Sequence, residues 1–473
     1  MLTLTIEILI ALAGVLSAGH ALLHKRDPRS AWAWVALCLM FPVAGAALYW
    51  LLGVNRIETR AKGWRAAGKL ASAAAVSRLP PSPQAGAPPF ENTSISALLK
   101  IADTVTGLPL LGGNRVSLLH NGEAAYPAMW AAIENARERV SLSTYIFRTD
   151  ATGKRFIDAL AAAADRGVEV RVMIDGVGEL YTFPWASRQL RNTRVRVARF
   201  LPLVRRGFHF NLRNHRKLLV VDGAVGFAGG MNIGDHHLAE ARHNARRVID
   251  LQVGLEGPAV AQLEDAFLND WHFATGEPRP AKTFRAHRPA GEAFCRGISA
   301  GPNEDFEKLY WIVLGALGAA RTHVRIMTPY FIPDRALLAA LSMAALRGVR
   351  VDIVLPQRNN LPYVAWAMRA FLWEVLQHQA RVYYQPPPFV HSKLLAVDDL
   401  YTLVGSANLD PRSLRLNFEF NLEIYDRDVS AALTGHFDAA RDRSREVTLA
   451  ELDGRPLPER LRDAAAKLFS PYL

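Results

Sequence analysis

Two stretches of this sequence carry the same set of side chains in the same order. The first is HRKLLVVDG, which reaches GGMN seven residues after its aspartate; the second is HSKLLAVDD, which reaches GSAN at the same spacing. His215, Lys217, Asp222, Gly229 and Asn232 thus match His391, Lys393, Asp398, Gly405 and Asn408, every pair 176 positions apart. Five matched positions at one offset mark a duplication. In a β-strand, side chains two apart share a face, so each His points the same way as its Lys. A lone histidine is usually a satisfied core residue. A His, a Lys and an Asn repeated at fixed spacing point instead to one site shared by two halves.

That set suits phosphoryl transfer. The ammonium groups of Lys217 and Lys393 and the amides of Asn232 and Asn408 would hold phosphate oxygens and offset charge in the transition state. One imidazole can attack phosphorus and form a covalent intermediate. The other can protonate the leaving alcohol and then deprotonate the incoming group, since an ordinary histidine titrates near neutrality. A reactive His needs an acceptor on its second ring nitrogen, and Asp250 (VIDLQV) and Glu419 (NFEFNL) are the candidates. Asp222 and Asp398 complete the motifs and are counted with the catalytic set, although closing the turn after each strand is the role their place favours. No metal or cofactor is called for. Transfer and hydrolysis use the same residues, so the acceptor, an alcohol or water, stays open.

The elements around the motifs repeat as well. SLSTYIF (Ser141–Phe147) and RIMTPYFIP (Arg325–Pro333) are β-rich, and each precedes an Ala/Leu-rich helical stretch. RGVEVRVMIDG (Arg166–Gly176) and RGVRVDIVLP (Arg347–Pro356) follow. Strand, helix, strand is the pattern of a sheet covered by helices. The expectation is an α/β fold of two similar halves, at 91–285 and 286–473, with mixed sheets packed around a shared site.

Before them lie two apolar runs, Leu2–Leu23 and Ala31–Val54, each read as a membrane-spanning helix within residues 1–55. Residues 56–90 are a basic, Pro-rich linker containing LPPSPQAGAPP. With two spans, the N-terminus and the large body share one side, and the basic residues after the second run put that side in the cytoplasm. The formal charge of +12 favours anionic partners. The two cysteines, Cys38 and Cys295, exclude a disulfide framework and are read as packing residues. Nine basic residues between Arg191 and Lys217, interleaved with phenylalanines, are either a lipid-docking loop or a solvated face. Tyr363, Trp366, Phe371 and Trp373 are read as core packing rather than an acyl-chain entrance.

On the two H-x-K-x4-D motifs, each followed by G-[GS]-x-N, the chain resembles the phospholipase D superfamily over about Ser141–Tyr425. The N-terminal AWAWVALCLMFPVAGAALYWLLG and NLDPRS (Asn408–Ser413) resemble the bacterial cardiolipin synthases within it. The resemblance implies a phosphohistidine intermediate, with His215 as nucleophile and His391 as acid and base. It implies transfer of a phosphatidyl group from one phosphatidylglycerol to another, giving cardiolipin and glycerol, without cofactor. Anionic phospholipids and the bilayer of a bacterial inner membrane are then the partners, with no nucleic acid. A phospholipase D-type hydrolase or nuclease is the alternative. The first copy departs from the pattern, reading GGMNIGDHHL where the second has NLDPRS. Asp235, His236 and His237 are therefore expected to be solvated loop residues, not metal ligands.

Overall fold

The computed structural model describes residues 2–25, 27–54, 90, 93–202, 212–241, 244, 246–279, 289–302 and 307–470. The Pro-rich linker, the basic residues after the second apolar run and the 203–211 part of the arginine-rich stretch lie outside the described residues. The chain divides into two compact units, Met1–Trp64 and Arg65–Leu473.

In the first unit, Leu2–His24 is one helix, and its Thr3–His24 portion, of mean hydropathy 2.0, is long enough to cross a bilayer. The second apolar run is not one continuous helix, whereas a single helix was expected over Ala31–Val54. It starts with Pro28 in its first turn and the Asp27 carboxylate accepting from the Arg29 and Ser30 amides. It stops at Met40, because Pro42 has no amide hydrogen and disfavours helical backbone in the residue before it. Phe41 accordingly sits at φ −130°, ψ 73°. Pro42–Leu48 and a wider turn at Tyr49–Gly53 complete the run. Cys38 is buried with Ala18, Ala21 and Tyr49, and the Trp50 indole donates to the Ser17 hydroxyl at 3.0 Å.

Among the described residues, fifteen strands make one sheet in the second unit. The first half contributes β1 (Leu111–His120), β2 (Arg139–Thr144), β3 (Glu169–Asp175), β4 (Arg196–Phe200), β5 (Leu218–Val221), β6 (Val225–Gly229) and β7 (Leu251–Glu256). The second half contributes β8 (Ala293–Ala300), β9 (His323–Met327), β10 (Arg350–Pro356), β11 (Arg381–Gln385), β12 (Leu394–Val397), β13 (Tyr401–Gly405), β14 (Glu419–Tyr425) and β15 (Arg445–Val447). Their order is β15-β11-β10-β9-β12-β13-β14-β8-β1-β7-β6-β5-β2-β3-β4. Outward from the central β8–β1 pair the two halves repeat one another, and β15 is added at the second half's edge. Pairing is parallel at β2–β3 and β9–β10 and antiparallel at β5–β6 and β12–β13, so the sheet is mixed. The parallel pairs are joined by the expected crossover helices, Ala151–Asp165 and Arg335–Leu346, capped by Asp150 and Asp334.

The strands after the motif lysines are buried on both faces, which is why they read as unbroken apolar runs. Leu219 and Val221 join the first half's core, and Leu395 and Val397 the second's. On the other face, Leu218 and Val220 meet Leu394 and Ala396 in a core that both halves build. Cys295 is part of this shared core and fully buried. One segment crosses over: the helix Ser96–Thr106 precedes β1, yet Leu98, Leu99 and Ala102 pack in the second half's core beside Leu309, Val313 and Leu317.

Candidate active site

Each motif histidine stands just before a short buried strand and is held there by the other half. The His215 amide donates to the Phe418 carbonyl at 2.8 Å, and the His391 amide to the Ile249 carbonyl at 2.7 Å. Val248–Ile249 pairs in parallel with Phe389–Val390, and Asn214 bridges in parallel to Phe418. The residue after each of these contacts is a carboxylate, so the pairing crosses between halves. His215 Nδ1 lies 2.9 and 3.0 Å from the Glu419 carboxylate oxygens. His391 Nδ1 lies 2.7 Å from Asp250 Oδ2. The nominated orienters thus each face the histidine of the opposite half.

With Nδ1 donating to a carboxylate, each imidazole presents Nε2 as a base or nucleophile. Burial lowers the basicity of both rings. It pushes His391 down to about 4, with the Lys393 charge acting the same way and Asp250 opposing. His215 is lowered by burial too, against the pull of Glu419. The carboxyls respond to the same contacts. Burial raises Glu419 and Asp250, but the facing histidines and lysines outweigh it and hold both below the ordinary carboxylate range.

The lysines sit beside the rings. The Lys217 ammonium donates to the His215 carbonyl at 2.6 Å, and Lys393 makes the same bond to the His391 carbonyl. Burial brings Lys217 down to about 7 and Lys393 to about 8, and the charge of Lys393 adds to the fall of Lys217. Lys217 also lies 5.4 Å from the centre of the Tyr145 ring, which meets His215 edge to face at 5.1 Å.

Asn232 and Asn408 are buried close by. The Asn232 side-chain oxygen accepts from the Ile146 amide, and the Asn408 amide donates to the Ser413 hydroxyl. The glycines of the same motif are there for close approach: a side chain at Gly229 or Gly405 would collide with the backbone at Leu251 or Phe420.

Asp222 and Asp398 do not join this cluster. Each stands at the far end of its strand from the histidine, roughly 20 Å away at about 3.3 Å per residue. Both adopt a left-handed backbone conformation, φ 52° and 54°, at the turn after the strand. Asp222 accepts from the amides of Arg137, Glu138 and Arg139 at 2.8–2.9 Å. Asp398 does the same for Arg321, Thr322 and His323. Counting them with the catalytic set is therefore corrected: they tie the motif strand to its neighbour.

The expectation of solvated loop residues at 235–237 is also corrected. Asp235 accepts from the Thr152 amide, and His237 is buried. His237 Nε2 accepts from the Asn232 amide at 3.1 Å, which leaves the proton on Nδ1, 3.8 Å from Asp250 Oδ2. In the other half Glu419 is supported instead by Ser406 and Asn417. Gly230 occupies the place of Ser406, and a side chain there would strike Asp250.

Two further residues escaped the sequence reading. Arg216, between the motif His and Lys, is fully buried and donates to the Glu419 carbonyl at 3.0 Å and to Asp270 at 2.7 Å. Asp175 accepts from the Asn214 amide at 2.8 Å, and burial raises it to about 6. The signal for both was a charged residue inside an apolar strand context, which costs too much to bury without a partner. The aromatic helix is divided: Phe371 is core, whereas Tyr363 and Trp373 are nearly half exposed.

Comparison with known proteins finds matches along nearly the whole chain. The profile of the family described as "Cardiolipin synthase, PLD-like domain" matches residues 129–271 and 313–441, one match in each half. A "Phospholipase_D-nuclease N-terminal" profile matches residues 8–53. A cardiolipin synthase A of Pseudomonas putida is 35% identical over 98% of this chain and 97% of its own. The major cardiolipin synthase of Bacillus subtilis is 30% identical over 95% of each chain. Among solved structures, a phosphatidylserine synthase of Haemophilus influenzae has the same fold, with a TM-score of 0.63 at 18% identity over 81% of this chain and all of that one. Two copies of one histidine–lysine motif, crossed through each other's carboxylates and matched along nearly the whole length, have one assignment: the chain belongs to the cardiolipin synthase family of phospholipase D-like enzymes.

Proposed function

We propose that this protein transfers a phosphatidyl group from one phosphatidylglycerol to the hydroxyl of another, giving cardiolipin and glycerol. The observation that carries the reading is the crossed pair of His–carboxylate contacts, which sets two imidazoles of fixed tautomer beside two buried ammonium groups. His215 Nε2 attacks phosphorus, the bond from phosphorus to the glycerol oxygen breaks, and that oxygen takes a proton from His391. The acceptor hydroxyl then returns a proton to His391 as its oxygen attacks phosphorus and the bond to His215 breaks. His391 gains its proton with the substrate, because a bound phosphodiester anion opposes the effect of burial. Lys217, Lys393, Asn232 and Asn408 hold the phosphate oxygens, and no cofactor takes part.

In this reading the chain is a bacterial inner-membrane protein that acts on lipid and not on nucleic acid. Leu2–His24 crosses the bilayer, the broken run at 28–53 crosses back, and the two halves, 91–285 and 286–473, work on the cytoplasmic side. A lipid substrate is favoured over a nucleic acid by the segment after β3. Leu180, Tyr181 and Phe183 there are 54%, 60% and 82% exposed, and Tyr181 touches Tyr145, the ring that packs on His215. Exposed aromatic and aliphatic side chains at the mouth of a site suit acyl chains and the bilayer interface.

The test is to supply the purified protein with phosphatidylglycerol alone, without nucleotide, and to analyse the products by mass spectrometry. Cardiolipin with free glycerol is expected, with none from His215→Ala and almost none from His391→Ala. Phosphatidic acid as the main product would make water the acceptor and the protein a hydrolase.

A further inference from the structure

A cavity lies beside the segment in which the first half departs from the second. It has a volume of about 620 Å³ and is lined by Arg148, Arg155, Arg246, His236 and Trp130 among others. Among the described residues, none of the three guanidinium groups has a carboxylate within salt-bridge distance. Arg155 stacks on the Trp130 face, 3.7 Å from the ring centre. The buried Nε of Arg148 and the buried Nδ1 of His236 have no hydrogen-bond partner. Two aspartates also line the cavity, but their carboxylates are engaged with backbone: Asp150 accepts from the Gly153 and Asp235 amides, and Asp235 from the Thr152 amide.

The cavity is tied to one side of the active site. The His236 ring lies 4.1 Å from that of His237, tilted by 45°, and His237 lies 6.3 Å from His391 between ring centres. His391 is the histidine assigned to the acceptor hydroxyl. At the positions matching 235–237, the other half carries Pro411, Arg412 and Ser413, so the paired histidines are not repeated beside His215.

We propose that this cavity binds the phosphodiester of the acceptor lipid. The inference rests on the transfer reaction proposed above and adds where the second lipid is recognised. In an acceptor phosphatidylglycerol, the reacting hydroxyl and the lipid's own phosphate are joined by the three carbons of a glycerol. An anion held by Arg148 and Arg155 therefore points that hydroxyl towards His391 while the donor phosphate occupies the His–Lys–Asn cluster. Planar guanidinium groups can grip such a phosphate with paired N–H donors. The arrangement also explains how a nearly symmetric site distinguishes its two identical substrates, through the HH of the first half against the RS of the second. Water, which carries no phosphate, gains nothing from the cavity.

The test compares two reactions of the full chain in mixed micelles. Cardiolipin formation needs an anionic acceptor, whereas exchange of labelled glycerol into phosphatidylglycerol uses the donor site and a neutral acceptor. In Arg148→Ala and in the exposed Arg155→Ala, the ratio of cardiolipin formed to glycerol exchanged should fall roughly 10- to 100-fold, the range for a charge-assisted hydrogen bond. Arg148→Lys should recover part of it. An equal fall in both reactions, or none in either, would overturn the proposal. Independently of turnover, the His215→Ala chain should bind glycerol phosphate at two sites, and adding Arg148→Ala should leave one. An unchanged stoichiometry would remove the site even if transfer between two phosphatidylglycerols proved not to be the reaction.

Discussion

Glu419→Gln probes the crossed architecture most directly. In the native site both carboxylate oxygens of Glu419 lie within 3.0 Å of His215 Nδ1, and the group also accepts from Ser406 and Asn417. An amide of the same shape fills the space without a cavity, so the fold should persist. Its NH2 group, however, can face Nδ1 only if that nitrogen is the acceptor. The ring proton then moves to Nε2, the atom that must attack phosphorus. The same exchange also removes the negative charge that stabilises His215 once it carries a phosphoryl group. A carboxylate-to-amide change behind a catalytic histidine costs about 10⁴-fold in serine proteases by this route. Glu419 is held by several donors and His215 keeps a nearby lysine, so a loss of roughly 10³- to 10⁴-fold, about 4–5.5 kcal/mol of barrier, is expected here. The assay is phosphohistidine formation, read as the burst of glycerol released from phosphatidylglycerol in a single turnover. Glu419→Gln should suppress the burst although Glu419 is 204 residues from His215 in sequence. A burst within tenfold of the native rate would refute the reasoning, as would finding that Asp250, and not Glu419, governs His215.

Other outcomes follow from the same structure. Asp222→Asn should lower the thermal midpoint, with a loss of about 1–2 kcal/mol as for a missing cap, and leave turnover per folded molecule unchanged; lost turnover at native stability would return Asp222 to the catalytic set. Raising the pH through about 7 to 8 should lower kcat/KM, because Lys217 and Lys393 lose their charges there and the free site no longer attracts a phosphodiester. On the acid side the fall should come below pH 6.5, since burial lowers the His215 imidazole and its basic form persists further; a kcat/KM still rising at pH 9 would contradict the lysine assignment. Phe183→Asp should cut turnover on vesicle phosphatidylglycerol at least tenfold and spare turnover on a short-chain monomeric analogue, and an equal loss on both would deny the segment a role at the lipid interface.

The sequence by itself contained the chemistry and the duplication. Two His–Lys–Asn sets at one offset needed no structure to be recognised, because strand periodicity puts His and Lys on one face and apolar runs behind them demand burial. Asp250 and Glu419 were also legible as carboxylates near the ends of β-like segments. Which histidine each one serves was not. That choice depends on Ile249 and Phe418 lying alongside the motif strands of the opposite halves, a contact between residues more than a hundred positions apart. The second apolar run shows a similar limit: its composition suits a span, but Pro42 removes a hydrogen-bond donor in mid-run, and the local backbone decides the outcome. His237 reads as a polar loop residue until the fold closes over it and turns its two nitrogens to Asn232 and Asp250. Residue types set which reaction is possible; the packing of one half on the other decides which side chain holds which proton.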